Sequence, residues 1–379
     1  MDEGRQVLDT VRRFVAREVT PHVEALEASG APPDGLLAKL HELGLFGLAV
    51  AEDFGGLGLP VETLAAVVEA LAEGWTTLAG YVNSHTTVSY LVSKYGTDDQ
   101  KRLFLPRLAT GELRGALALT EPDAGSDLQA IRTVARDEGG LFRVTGNKVF
   151  VTNGRRAGLL LTLVKTDPAA EPAHRGMSLL LIEKSLLGVT VGKDFDKMAY
   201  GHVDTCAITY EDVAVPADGL LGGETGRGFA WLLDGLELGR VMIAASAVGL
   251  AQAALVQAVS YARTRRSFSR PIAEHQAIQL ELADMATGIE AARQLTLEAA
   301  REKGRAGRAD RLSGMAKLFA SETALKVATG ALRVHGGYGY IKGYAVERLF
   351  REAPLYIVGE GTNEILKIVI ARRLLETTP

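Results

Sequence analysis

Three runs of helical periodicity, Phe229–Arg263, Ile272–Lys303 and Arg311–Leu332, decide most of what this chain can become. Each is far longer than an average globular helix. With short links between them, such helices pack antiparallel and bury their apolar stripes together, as in a four-helix bundle. A second helical region lies upstream, where Leu8, Val11, Phe14 and Val15, and then Leu36, Leu37, Leu40, Leu43 and Leu45, recur at helix spacing. Between the two the period changes. Phe142–Val144, Leu159–Val164, Met177–Ile182, Val189–Val191 and Thr205–Tyr210 are short runs separated by Gly, Pro, Asp and Asn, a pattern of hairpins. No helix-length segment separates them, which disfavours a doubly wound sheet. The expected fold is α+β, mainly α: an N-terminal helical domain (1–112), a small central β-domain of barrel or sandwich type (113–224), and a C-terminal four-helix bundle (225–379).

Val241–Val259 is nearly all apolar, but Gln252, Gln257 and its Ala, Gly and Ser content read as a close-packed buried helix, not a membrane span. A net charge of -4 gives no basic stripe for nucleic acid. The single cysteine, Cys206, cannot form an intrachain disulfide and reads as a small buried hydrophobe. The seven histidines show no metal-ligand spacing. The first residues carry neither a signal-peptide nor a transit-peptide pattern, so a soluble, cytoplasmic protein is expected.

Five segments have compositions suited to chemistry, each with a plainer reading beside the functional one. In ALTEPDAGSD, Ala118 to Asp127, Pro122 presets a turn and Gly125 can take positive φ. Successive N–H groups then point at one acceptor, with Thr120 and Ser126 adding hydroxyls; the same residues also make an ordinary β-turn. KVFVTNG, Lys148 to Gly154, is a strand entering an Asn-Gly turn, with Phe150 as core and Thr152 as a β-former. RTRRSFSRP, Arg263 to Pro271, puts four arginines in eight residues between two long helices. It is a clamp for a pyrophosphate with an aromatic to stack on adenine, or a solvated basic helix end. HGGYGY, His335 to Tyr340, lacks the preceding strand and the spacing of a Rossmann glycine loop, so that assignment fails. Its glycines imply close approach of the backbone to a ligand or a helix. GEGTNEI, Gly359 to Ile365, sets Glu360 between two glycines just before a helix that Thr362 caps. That carboxylate either stabilises the helix dipole or projects into a cleft. In a cleft, N–H groups favour its ionised form while burial raises its pKa from about 4.3, the compromise a base for carbon acids needs.

Taken together, in this order and spacing, the five segments resemble the acyl-CoA dehydrogenase family over essentially the full chain, ALTEPDAGSD and GEGTNEI being the most specific. The resemblance implies the same three-part fold and FAD as cofactor. The flavin ring would meet the stretch Leu117 to Ser126, including Leu119, Thr120 and Gly125, with Phe150 and Thr152 over its far side. Arg265, Ser267, Phe268 and Gln276, with Arg333, Gly336 and Gly337, would reach the FAD of a neighbouring subunit. Thr362 and Glu364 would also touch the cofactor. The acyl-CoA would lie near Ser126, Glu237, Arg240, Gly361 and Arg372. Glu360 would remove the pro-R α-proton while the β-hydrogen leaves as hydride to flavin N5. The thioester oxygen would be hydrogen-bonded by the N–H of the base residue and a ribityl hydroxyl, since its α-proton is otherwise too weakly acidic. Electrons would pass to an electron-transferring flavoprotein, and the protein would be a homo-oligomer, a tetramer built as a dimer of dimers.

Some members carry the base on the helix before the arginine corresponding to Arg240; here that position is Gly239, which leaves Glu360 as the candidate. Arg333 stands where the family usually has glutamine, Ser269 where glycine is common, and Gly343 where an acidic or amide residue is expected. Gly359 stands where many relatives have an aromatic residue, which implies a wider pocket near the acyl α and β carbons. Two alternatives remain: an oxygen-using relative on the same fold, and a non-catalytic flavin- or acyl-CoA-binding protein.

Overall fold

A computed structural model of the chain describes residues 3–306 and 308–377. The first region folds into α1 (Glu3–Phe14), α2 (Val23–Ser29), α3 (Asp34–Glu42), α4 (Val61–Gly74), α5 (Thr76–Tyr95) and α6 (Asp98–Thr110). Helix α6 shows how locally such starts are written. Thr97 Oγ1 accepts from Gln100 N (3.2 Å), the Gln100 side chain accepts from Thr97 N (3.0 Å), and Gly111 closes the helix at φ 78°.

The middle of the chain forms β1 (Gly115–Ala118), β2 (Val134–Asp137), β3 (Leu141–Thr152), β4 (Leu159–Lys165), β5 (Met177–Glu183), β6 (Val189–Asp194) and β7 (Thr205–Pro216). They join in one sheet of order β1-β4-β2-β3-β7-β6, with β5 also paired to β4. The five expected strands are there, and β3–β7 and β4–β5 are antiparallel. Two four-residue strands, β1 and β2, were not expected, and both run parallel to β4, so the sheet is not built from hairpins alone. Strand β4 is buried on both faces. Leu159, Leu161 and Leu163 pack with Leu91, Leu105 and Leu108 of α5 and α6. Leu160 and Val164 pack with Val144, Ile208 and Tyr210 of the sheet itself. Alternation along one strand thus serves two cores, which is why its sequence reads as an unbroken apolar run. Cys206 is buried in β7, where burial pushes its thiol up to about 11.

The last region contains α7 (Gly228–Thr264), the β8 (Arg266–Ser267) and β9 (Arg270–Pro271) hairpin, α8 (Gln276–Ala306), α9 (Asp310–His335), α10 (Ala345–Glu352), α11 (Leu355–Val358) and α12 (Asn363–Thr377). Helices α7, α8 and α9 pack on one another and α12 packs on α9. Helix α7 is also long and apolar enough to cross a membrane, but its middle is buried within the chain. A side-chain carbon at Gly249 would sit 2.3 Å from Glu69 O and 2.8 Å from Glu73 N of α4. The small residues of Val241–Val259 therefore admit another helix backbone, as their composition implied.

Candidate active site

The site is assembled at three places. At the first, the turn after β1 closes on itself through Glu121 N to Ala124 O (2.9 Å) and Ala124 N to Glu121 O (3.1 Å). Leu117, Leu119 and Thr120 are half-buried there, while Ser126 is exposed. A side-chain carbon at Gly125 would touch only the Thr120 methyl, at 3.7 Å, so the turn presents bare backbone. Val149 N donates to Thr120 O (2.8 Å) and joins this turn to β3. Beneath it Lys148, fully buried, donates to Leu119 O (3.0 Å) and to Glu121 Oε1 (2.8 Å). Glu121 also accepts from Arg132 N, Thr133 N and the Thr133 hydroxyl. Burial pulls its pKa upward, but Lys148 and these donors outweigh burial and hold it below the usual carboxylate range. Burial pushes Lys148 down to about 8 against the pull of Glu121.

The register of β3 on β7 slips between Lys148 and Val151. This bulge turns Lys148 inward and brings Phe150 outward at φ 56°, 65% exposed, so Phe150 is not a core residue. Its ring lies 5.5 Å from that of Phe195, and Thr152 follows half-buried. Asn153, at φ 61°, then donates to Gly80 O (3.1 Å) and Ser84 Oγ (3.0 Å), docking the end of β3 on α5. Asn83, on the same stretch of α5, donates to Ser246 Oγ of α7 (3.2 Å).

Helix α7 leads to the second place. A side-chain carbon at Gly239 would lie 3.0 Å from Glu360 Oε2 and 3.3 Å from its carboxyl carbon. The residue next to it, Arg240, is buried with its Nε unpartnered. Glu360 sits between α11 and α12 at φ 54°, followed by Gly361 at φ 87°. A left-handed non-glycine residue costs roughly 1–2 kcal/mol and persists only where its surroundings enforce it. Here Lys317 of α9, fully buried, donates to Ile357 O (3.1 Å), Gly361 O (2.8 Å) and Asn363 Oδ1 (2.9 Å). Asn363 in turn donates to Ser321 Oγ (3.0 Å) and Glu322 Oε1 (2.9 Å). Thr362 caps α12 through Ile365 N (3.3 Å), as its position predicted. Burial raises the Glu360 pKa, and the positive charges of Arg240 and Lys317 oppose that rise. Gly359 has only Leu355 O, at 3.2 Å, near the position of a side-chain carbon. Gly361, Glu364 and Arg372 are exposed. Glu237 is instead committed within the fold: its Oε2 accepts from Lys303 Nζ (3.0 Å) and Ala309 N (2.8 Å).

The third place lies at the far end of α7, about 38 Å from Gly239 at 1.5 Å per residue. The arginine-rich hairpin and the glycine loop meet there. The Arg265 guanidinium lies 5.6 Å from the centre of the Tyr338 ring, and Tyr261 stacks on His335 at 4.2 Å. His335, bonded to Ala331 O, is a structural residue. Ser267 pairs with Arg270, and Phe268 at the tip, φ 50°, is 90% exposed. Gln276 and Arg333 are exposed, and Gly336 and Gly337 have open space where side chains would begin.

Sequence reasoning missed Lys317, whose partner Gly361 lies 44 residues further along. Its one available signal was a lysine on an otherwise small, buried face with Ala316, Ala320 and Ala324. Bare backbone at Gly125 near the outward-facing ring of Phe150 suits a planar cofactor, and open space at Gly336 and Gly337 near the exposed arginine hairpin suits a phosphate-bearing tail.

Comparison with known proteins identifies the family. Three models of the acyl-CoA dehydrogenase family match: the N-terminal domain over residues 1–112, the middle domain over 116–213 and the C-terminal domain over 226–375. An acyl-CoA dehydrogenase of Bacillus subtilis (strain 168) is 39% identical over 369 residues, covering 97% of each chain. A chain in the structure of the electron transferring flavoprotein of Acidaminococcus fermentans superposes with a TM-score of 0.93 at 36% identity, covering 99% of this chain and 98% of that one. Glutaryl-CoA dehydrogenase from Mycobacterium smegmatis, solved in complex with FADH2, superposes with a TM-score of 0.92 at 26% identity, covering 100% and 96%. The chain belongs to the acyl-CoA dehydrogenase family, FAD-dependent oxidoreductases acting on the CH–CH bond of acyl-CoA thioesters.

Proposed function

We propose that this chain desaturates an acyl-CoA thioester to the trans-2-enoyl-CoA, with Glu360 as the base. The setting of Glu360 carries the reading: a carboxylate fixed at a left-handed turn, made more basic by burial, and kept ionisable by Arg240 and Lys317. An isolated surface glutamate is too weak a base for a thioester α-proton, and a fully desolvated one stays protonated. Transfer of the α-proton to Glu360 leaves its bonding pair to form the Cα=Cβ bond, and the β-hydrogen departs with its own pair. FAD, when bound, supplies the acceptor for that hydride at N5. Leu117, Leu119, Thr120, Gly125 and Ser126 would hold the flavin on one side, Phe150 and Thr152 on the other, with Thr362 and Glu364 beside it. The acyl-CoA would lie along Ser126, Arg240, Gly361 and Arg372. Glu237, already bonded to Lys303, would act on it through the shape of α7 more than by a free carboxylate.

The long separation along α7 supports a role for Arg265, Ser267, Phe268, Gln276, Arg333, Gly336 and Gly337 toward a neighbouring copy's cofactor. A homotetramer, a dimer of dimers, accommodates that exchange. Likeness to a chain in an electron transferring flavoprotein structure supports such a flavoprotein as the electron acceptor. A cytoplasmic location and a division of labour at 112/113 and 224/225 complete the reading. The test is anaerobic titration of the purified holoenzyme with a series of acyl-CoAs, following loss of flavin absorbance. Glu360→Gln is expected to retain FAD and to lose bleaching by about 10⁴-fold, the upper end of general-base effects. Unabated bleaching in that variant assigns the proton to another base. Rapid reoxidation in air marks an oxygen-using relative, and a yellow protein indifferent to thioesters marks a binding protein.

A further inference from the structure

We infer that Lys317 is a positioning residue for the base: its ammonium staples the two helix ends that flank Glu360 and stands as a buried counter-charge to that turn. The staple is visible in its three hydrogen bonds. Ile357 belongs to α11, Gly361 to the turn and Asn363 to the first turn of α12, so one ammonium group spans the whole reversal in which Glu360 sits. All three protons go to two carbonyls and an amide oxygen, so among the described residues the ammonium spends its hydrogen bonds on uncharged acceptors and its charge acts on its surroundings. Among the described residues, the charged groups around this cluster are Glu360 in the turn, Arg240 on α7, Glu364 on α12 and Glu322 on α9. Glu237 and Asp310 in turn face Arg240. Burial pushes Lys317 down to about 8, and Glu360 is the strongest of the groups pulling it back up. Coupling between Lys317 and Glu360 works in both directions, since each favours the charged form of the other.

The sign follows. Glu360 acts as a base only when ionised, and its folded pKa is raised above the ordinary value. Activity therefore rises with pH through that midpoint, and loss of the Lys317 charge moves the midpoint to still higher pH. The assignment of Glu360 as the base rests on the dehydrogenase reading, but its titration can be followed without substrate. In the FAD-loaded enzyme, the Glu360 carboxyl stretch is isolated as the infrared difference between wild type and Glu360→Gln across pH. Lys317→Gln, which loses the charge, is expected to raise the midpoint by about one unit or more, and Lys317→Arg to leave it near wild type. The acid limb of flavin bleaching should shift in step. An unmoved midpoint in Lys317→Gln, or an equal displacement in Lys317→Arg, overturns the proposal. Should the Lys317 variants not fold, the reciprocal measurement decides. The Lys317 ammonium, followed by ¹⁵N-lysine resonance, must titrate at lower pH in Glu360→Gln than in wild type. An identical titration removes the coupling and the proposal with it. Absence of bleaching by any acyl-CoA would strike the dehydrogenase reading alone.

Discussion

Among the described residues, Lys148 and Lys317 are lysines with no exposed surface, each lying under a different part of the site, and the fold uses them differently. Lys148 lies beneath the turn from Thr120 to Ser126 and spends its charge on Glu121, which is itself satisfied by two N–H groups and a hydroxyl. Lys317 lies beneath the Glu360 turn and spends its hydrogen bonds on uncharged oxygens. Burial depresses both to about 8, so depth alone does not distinguish them. The first forms a closed, neutral pair whose product is shape. The second keeps its charge off any hydrogen-bonded carboxylate, near a glutamate that must be ionised to work. Desolvation is the same physical penalty in both, and the partner decides whether it ends in architecture or in chemistry.

This contrast can be broken by experiment. The largest expected effect is Lys148→Met, which strands Glu121 in the interior and should cost about 3–5 kcal/mol of stability. Adding Glu121→Gln should recover part of that loss in a denaturation midpoint. If Lys148→Met destabilises no more than Lys317→Gln does, the distinction between a structural and an electrostatic lysine fails. Gly239→Ala is next. Its methyl would begin 3.0 Å from Glu360 Oε2, so the carboxylate must yield by a few tenths of an ångström. Rapid-mixing bleaching rates should fall roughly tenfold, the scale of a sub-ångström misplacement, with the fold intact. No effect would show that the base has slack that the Lys317 staple does not remove. The smallest stability effect belongs to Phe268→Ala, far from either lysine. With the ring 90% exposed, unfolding should change by less than about 0.5 kcal/mol, while FAD retention weakens. A large loss of stability with FAD still bound would make that hairpin part of the core.

The sequence disclosed contiguous information well and folded-together information poorly. Glu360, its flanking glycines and the Thr362 cap lie within one heptapeptide, where the local rules of helix starts apply. Read from its own neighbours Phe150 was core, and only the family resemblance set it against a flavin, because the bulge that re-aims it depends on the pairing of β3 with β7. The strands β1 and β2 are four residues each, too short for a periodicity to register, and their parallel partner β4 lies further along the chain. Glu237 looked available because nothing nearby in sequence shows that Lys303 and Ala309 return from α8 and the start of α9 to meet it. The long helices were legible because amphipathic repetition over many turns is a signal that tertiary context seldom overrides.

A side chain at 239 would begin at the tip of Glu360, so the same spot can be reached from two elements of the fold. Two backbone positions, far apart in the chain, deliver side-chain atoms to one point in space, so the proton acceptor can migrate from one to the other without the substrate having to move. Two carboxylates that close would share a single proton, with one pKa strongly raised. Glycine at 239, with no side chain of its own, leaves that point in space to Glu360.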